Sequence, residues 1–213
     1  IVGELRKRHP KAHFATIAYQ GYCEPPTQVV PDATFVEYAT HGRCQLHPFH
    51  SSPKACPLSS ADLARMGRWE KLGVTLGQYT YEYDAMDGVS LPFYSLVNET
   101  VDLAATHRHC LLMPEVMLSP PFGPDAVVGS IRNRLSEQFF AQKMWDASLT
   151  VDGFLDDLTR NAYGPAAPLL KEYFKLLDAA WGRMKGRVVM FADGMNVAEE
   201  LLSDERVRRR TAD

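Results

Sequence analysis

One stretch of this sequence gathers residues that could bind a metal. It carries the spacing Cys44-x-x-His47-x-x-His50-x5-Cys56. Zinc accepts two thiolates and two imidazoles in a tetrahedral set, and these spacings are short enough for one loop to wrap an ion. A closed set of protein donors leaves no open position, so such a zinc would be structural. No paired Cys-x-x-Cys is present, so the pattern is not that of a standard finger. Two other readings stand beside zinc: a Cys44–Cys56 disulfide if the protein is exported, and unlinked Cys and His residues of an ordinary loop. Cys23 and Cys110 are isolated. Acid–base chemistry would fall to carboxylates near the ends of expected strands. Val74, Leu76, Gln78, Thr80, Glu82 and Asp84 share one face of a strand, which grows polar toward its end, while Tyr79, Tyr81 and Tyr83 share the other. Glu115 follows His109, Leu111 and Met113 beyond Pro114. Carboxyl groups placed this way suit proton transfer; they also suit rim salt bridges and loop caps. Glu37, in the middle of its strand, is the weaker candidate.

The elements that must position these residues are legible in outline. Val2 to Arg8 reads as a helical tail leading through Pro10 into a strand at Ala12–Tyr19. A turn-rich segment, Gly21 to Pro31, precedes a second strand at Thr34–Ala39, whose content is β-branched and aromatic. After the irregular stretch His41 to Leu58, Ser59 or Ser60 is the expected N-cap of a helix through Lys71, closed by Gly73. Val74–Tyr83 is a third strand, Tyr94–His107 a helix by its apolar spacing, and His109–Val116 a fourth strand. Beyond a proline-rich loop at 119–124 the pattern is helical: about Asp125 to Trp145, Val151–Ala162, Ala166–Trp181 and Val197–Arg208, with a short apolar piece at Val188–Ala192. Trp69, Trp145 and Trp181 sit at apolar helical spacing and are expected in the core.

Strand followed by helix or loop, repeated, predicts βα units and a mainly parallel α/β sheet. Four such strands and a helical tail amount to the C-terminal half of a (β/α)8 barrel of the TIM type. Residues 1–150 are then a partial barrel with about four parallel strands, and 151–213 a helical extension packed on it. An open doubly wound sheet is the alternative, but no Gly-x-Gly-x-x-Gly or Gly-Lys-Ser/Thr turn follows any strand. The opening residues read as the end of an amphipathic helix with no signal segment, so the chain is expected to begin within a domain.

Composition excludes several classes. A net charge of −3 argues against a nucleic-acid partner, since the one basic run is Arg206 and Arg208 to Arg210. No apolar stretch approaches the roughly 20 residues of a membrane-spanning helix. No Gly-x-Ser-x-Gly elbow and no His-Glu-x-x-His is present, which removes the usual esterase and metalloprotease signals.

Three segments carry a family resemblance: "TIAYQGYCEPP" at Thr16–Pro26, "GVTLGQYTYEYD" at Gly73–Asp84, and the long run Phe139–Ala180. Its most specific parts are Lys143-Met144-Trp145-Asp146, Val151-Asp152 and Tyr163-Gly164-Pro165-Ala166-Ala167. The chain resembles, from its first strand to Trp181, a family of uncharacterised carbohydrate-associated, glycoside-hydrolase-like barrel domains near the α-glucuronidase-like and β-hexosaminidase-like families, and covers its C-terminal part. The resemblance implies a carbohydrate-active barrel that, when complete, hydrolyses glycosidic bonds of a polysaccharide or oligosaccharide, and a secreted or periplasmic location; without it a cytoplasmic one stands. Such hydrolysis takes two carboxyl groups, for which Glu115 and Glu82 are the first candidates, with Asp84 as orienter. Tyr19, Tyr81, Tyr83 and His47 would contact sugar, with Tyr22 and Phe122 as further aromatic candidates. Structural zinc at Cys44, His47, His50 and Cys56 is the one cofactor in view. The expected partners are a carbohydrate ligand and either the missing N-terminal half of the barrel or a second copy paired through open strand edges. A non-catalytic carbohydrate-binding or structural module is the competing function.

Overall fold

A computed structural model describes residues 2–27, 35–44, 46–80, 94–112, 135–136 and 138–184. In chain order the elements are α1 (Val2–Arg8), β1 (Ala15–Ala18), β2 (Phe35–Ala39), α2 (Pro57–Glu70), β3 (Thr75–Tyr79), α3 (Tyr94–His107) and β4 (Cys110–Leu112), then a helical stretch over residues 138–145 (α4), α5 (Val151–Tyr163) and α6 (Ala167–Trp181). The strands form one all-parallel sheet in the order β1-β2-β3-β4. The chain is therefore mixed α/β with its strands in sequence order.

The register shows which side chains share a face. Ala18 lies opposite Tyr38, Val36 opposite Leu76, and Tyr38 opposite Gln78. Side chains at one level of parallel strands point the same way. Val36, Tyr38 and Leu76 pack in one cluster with Met66 and Trp69 of α2 and Leu103 of α3. Both crossover helices thus cover one face of the sheet. The opposite face carries Ile17, which is 38% exposed, and the half-buried Glu37 and Tyr79.

This corrects the expected orientation of β3. Leu76 and Gln78 belong to the face that grows polar toward the strand end, the one expected to carry site carboxylates, yet both are buried on the helix-covered side. Gly77 and Tyr79 lie on the open side. Alternation alone gives two faces; which of them a helix covers depends on the crossover.

Helix α2 begins earlier than its serines suggest. Pro57 stands in the first turn, where its missing N–H costs nothing, and Cys56 is the N-cap. Ser59 is an interior residue, buried in the same row as Asp62, Met66 and Trp69. The helix ends at Glu70, and the turn after it closes at Gly73, whose φ of 75° is the left-handed conformation glycine adopts without strain. The loop after β1 is fastened to α2: Trp69 Nε1 donates to the Cys23 carbonyl at 2.8 Å, and Glu24 receives Arg65 at 2.6 Å and Arg68 at 2.5 Å.

A second core joins α3 to the helical tail. Tyr94, Phe139 and Phe154 stack with ring centroids 5.1–5.8 Å apart, and Leu155, Leu177 and Trp181 pack around them. Thr150 caps α5 by accepting from the Gly153 amide at 3.0 Å. Trp69 and Trp181 are core, as expected; Trp145 is not. At the end of α4 it is 94% exposed. The expected helix Val197–Arg208, the piece Val188–Ala192 and the outer parts of the third and fourth strands lie outside the described residues.

Candidate functional site

In parallel sheets the loops following strand C-termini gather on one edge. At that edge Tyr19 follows β1 and His41 follows β2. Their rings meet edge to face with centroids 5.2 Å apart, and Tyr22 meets Tyr19 at 6.4 Å. Gln20 takes a φ of 46°, turning the chain so that Tyr22 folds back toward Tyr19, while its Nε2 donates to the Tyr19 hydroxyl at 3.0 Å. Tyr22 is 60% exposed. The result is a small aromatic surface with hydroxyl edges, a shape that suits the C–H faces of a sugar ring.

The loop after His41 brings three of the four expected metal donors together. The two sulfurs and a ring nitrogen of His47 all lie within 4.8 Å of one another, and Cys44 Sγ is 3.2 Å from His47 Nδ1. Both cysteines are fully buried and are not joined in a disulfide, and His47 is half-buried. His50 is exposed and outside the cluster. Glu99 of α3 accepts from the Phe49 and His50 amides at 3.2 and 3.3 Å, which fixes that backbone apart from the donors. Ser59 braces the arrangement: its hydroxyl accepts from Cys56 Sγ at 3.4 Å and donates to the His47 carbonyl at 3.0 Å. Burial pushes the Cys56 thiol up. Hydrogen bonding with the Ser59 side chain and backbone, with Cys44 and with the Leu58 backbone outweighs it, and the pKa is lowered.

A third group escaped sequence reasoning. His107 Nδ1 and His109 Nε2 both meet Glu70 Oε1, at 2.7 and 2.6 Å. Gln78 Nε2 lies 2.8 Å from His109 Nδ1, so Nε2 of His109 is the donor to Glu70. The turn between α3 and β4 makes this possible. Arg108 takes a left-handed φ of 57°, and the amides of Arg108 and His109 close back on Ala105 and Ala104 at 3.3 and 2.8 Å. Burial lowers the His109 pKa, against the upward pull of Glu70. The spacing His107-x-His109 was the available signal, but Glu70 lies far away in sequence, and only the packing of the end of α2 against β3 and the α3–β4 turn supplies it. This group sits at the N-terminal edge of the sheet, opposite the aromatic cluster.

Of the residues expected to act on or contact sugar, Tyr19, Tyr22 and His47 are described; Glu82, Asp84, Glu115, Tyr81, Tyr83 and Phe122 lie outside the described residues. Among the described residues a groove of about 340 Å³ runs between α4 and α5, lined by Gln138, Gln142, Asp157 and Asn161, and it contains none of the expected site residues. No helix among the described residues is long and apolar enough to cross a membrane.

Residues 1–175 match the family described as a domain of unknown function, DUF4838, and the chain belongs to that family. No curated protein and no solved structure matches it.

Proposed function

We propose that the chain is part of a (β/α) barrel that hydrolyses glycosidic bonds of a polysaccharide or oligosaccharide, with sugar meeting the C-terminal edge of the sheet. One observation carries this reading: the strands run parallel in sequence order, and α2 and α3 cover the same face. A doubly wound sheet divides its helices between two faces, whereas a barrel keeps them all outside. Ile17, Glu37 and Tyr79 then belong to the interior, and Tyr19, Tyr22 and His41 stand at the mouth where barrel enzymes work. The resemblance of the Thr16–Pro26, Gly73–Asp84 and Phe139–Ala180 segments to glycoside-hydrolase-like barrels points the same way. Glu115 and Glu82 remain the proposed carboxyl pair, Asp84 their orienter, and Tyr19, Tyr81 and Tyr83 the sugar contacts; β3 ends at Tyr79, so its alternation does not carry the helix-covered face on to Glu82 and Asp84. His47, with its Nδ1 on Cys44 Sγ, is better placed as a loop ligand than as a sugar contact.

The test is turnover of aryl glycosides and oligosaccharides by the full natural protein, with Glu115→Gln and Glu82→Gln beside it. Losing a general acid or base costs roughly 10²–10⁴-fold in rate, with sugar binding retained. Absence of turnover across a broad panel, with binding that Tyr19→Ala weakens, would establish the non-catalytic carbohydrate-binding module instead. Neither turnover nor binding would end the carbohydrate reading.

A further inference from the structure

The β2–α2 loop holds a cluster that hydrolysis does not use. We propose that Cys44, His47 and Cys56 bind one zinc-class divalent ion, with a fourth position left to water, and that this ion staples the loop to the start of α2. The inference stands independently of the carbohydrate reading.

Geometry is the first support. Zinc–sulfur and zinc–nitrogen bonds of about 2.3 and 2.0 Å in a tetrahedron place donor atoms roughly 3.5–3.8 Å apart. The three donors here lie within 4.8 Å of one another, with one pair at 3.2 Å. Small side-chain adjustments would complete the site, with no change in the loop's path. The second support is where the donors come from. Cys44 and His47 belong to the loop after β2, while Cys56 is the N-cap of α2. An ion joining them would fix a segment containing Pro48 and Pro53 that has no strand or helix of its own.

Charge and surroundings are the third. Cys44 and Cys56 are buried in an apolar cluster with Leu46, Tyr94 and Val97. Two thiolates there would be costly alone, but a divalent cation neutralises them. Ser59, bonded to both Cys56 and the His47 carbonyl, supplies the outer support that metal ligands need. A simple packing role for the two thiols gives no reason for an imidazole nitrogen aimed at one of them. A disulfide would likewise leave His47 without a function. The Glu70, His107 and His109 group differs here: its carboxylate already accepts from both imidazoles at 2.6–2.7 Å, so it is complete as an ion-pair network.

The experiment is metal analysis and cobalt substitution of the full natural protein, purified without a metal-affinity step. About one zinc per chain is expected, and the cobalt form should show thiolate-to-metal charge-transfer absorption with the strong visible bands of a tetrahedral site. Cys44→Ser, Cys56→Ser and His47→Ala should each weaken zinc binding at least tenfold. If a cysteine variant fails to fold, alkylation of the wild type decides. Both thiols should be protected with metal bound and react after chelation. Two outcomes overturn the proposal: cysteines that resist alkylation until a reductant is added, which means a Cys44–Cys56 disulfide, and cysteines that are already reduced yet take up neither zinc nor cobalt at micromolar concentration.

Discussion

Helix α2 carries a histidine-containing cluster at each end, and the two are built on opposite principles. At its N-terminus Cys56 joins Cys44 and His47, two sulfurs and one nitrogen in apolar surroundings with no acid among them. At its C-terminus Glu70 receives His107 and His109. The helix dipole favours thiolate at the first end and disfavours carboxylate at the second. The N-terminal group therefore gathers negative charge that asks for a cation, while the C-terminal group places a carboxylate against the dipole and offsets it with two N–H donors. The proposed ion would complete the first cluster from outside the chain, whereas the second is complete within it.

The largest consequence is sensitivity to chelation. A ligand that binds only the folded state stabilises it by about 4 kcal/mol at a thousandfold excess over Kd. For a chain of this size each kcal/mol moves Tm by roughly 2–4 °C. Strong chelation should therefore lower Tm by on the order of 10 °C in the wild type, and equally in a Glu70→Ala variant. Calorimetry with and without chelator reads this directly; a chelator shift that disappears in Glu70→Ala would place the metal at the wrong end of α2.

Removing Glu70 is the next largest effect. Glu70→Ala strips the acceptor from two imidazoles, one of them on a side chain only 3% exposed. An unsatisfied buried donor costs about 1–3 kcal/mol, and the urea midpoint should fall accordingly. Glu70→Gln keeps a carbonyl acceptor and should lose less. Equal losses would mean that charge, not the hydrogen bonds, holds the turn between α3 and β4.

The same contrast explains what the sequence disclosed. The Cys44–Cys56 group lies within one loop, so its spacing was visible, and three of its four expected donors do converge. His50 was added on spacing alone, since nothing in a linear reading shows that Glu99, on another helix, takes hold of the backbone at 49–50. The Glu70 group joins the end of α2 to the end of α3 and the turn before β4, three separate parts of the sequence. Helix α3 is found over the expected residues, because Leu96, Val97, Val101 and Leu103 repeat at a clear period. The N-cap of α2 is Cys56 and not Ser59 or Ser60: serine is the more usual cap, but Pro57, preset for the first helical turn, starts the helix earlier. Trp145 was assigned to the core from its period, but it is the last residue of α4, beyond the point where α5 and α6 cover that helix.

A smaller effect separates the clusters by pH. Burial holds the His109 pKa below its ordinary value of 6.5. Between the two values the unfolded chain binds more protons than the folded one, so stability from this group is fully present above pH 6.5 and is lost as pH falls through the lowered value. Melting temperatures should therefore drop on acidification from neutrality, and drop less steeply in His109→Gln, whose amide can still donate to Glu70. Identical slopes in the two proteins would show that His109 does not titrate with folding.

The smallest expected effect tests the boundary of the N-terminal cluster. His50 was grouped with Cys44, His47 and Cys56 by sequence, yet it is exposed, and the hydrogen bonds that hold its segment come from its own backbone amide and that of Phe49 to Glu99. A side chain in that position can be truncated with little consequence, because surface substitutions away from caps and networks usually stay within about 0.5 kcal/mol. His50→Ala should leave the zinc content, the cobalt spectrum and Tm almost unchanged, while Glu99→Ala, which releases two amides, should soften the loop measurably in hydrogen exchange. Loss of zinc in His50→Ala would restore the closed set of two thiolates and two imidazoles and remove the open fourth position. Retention fixes the site as three protein donors at the head of α2.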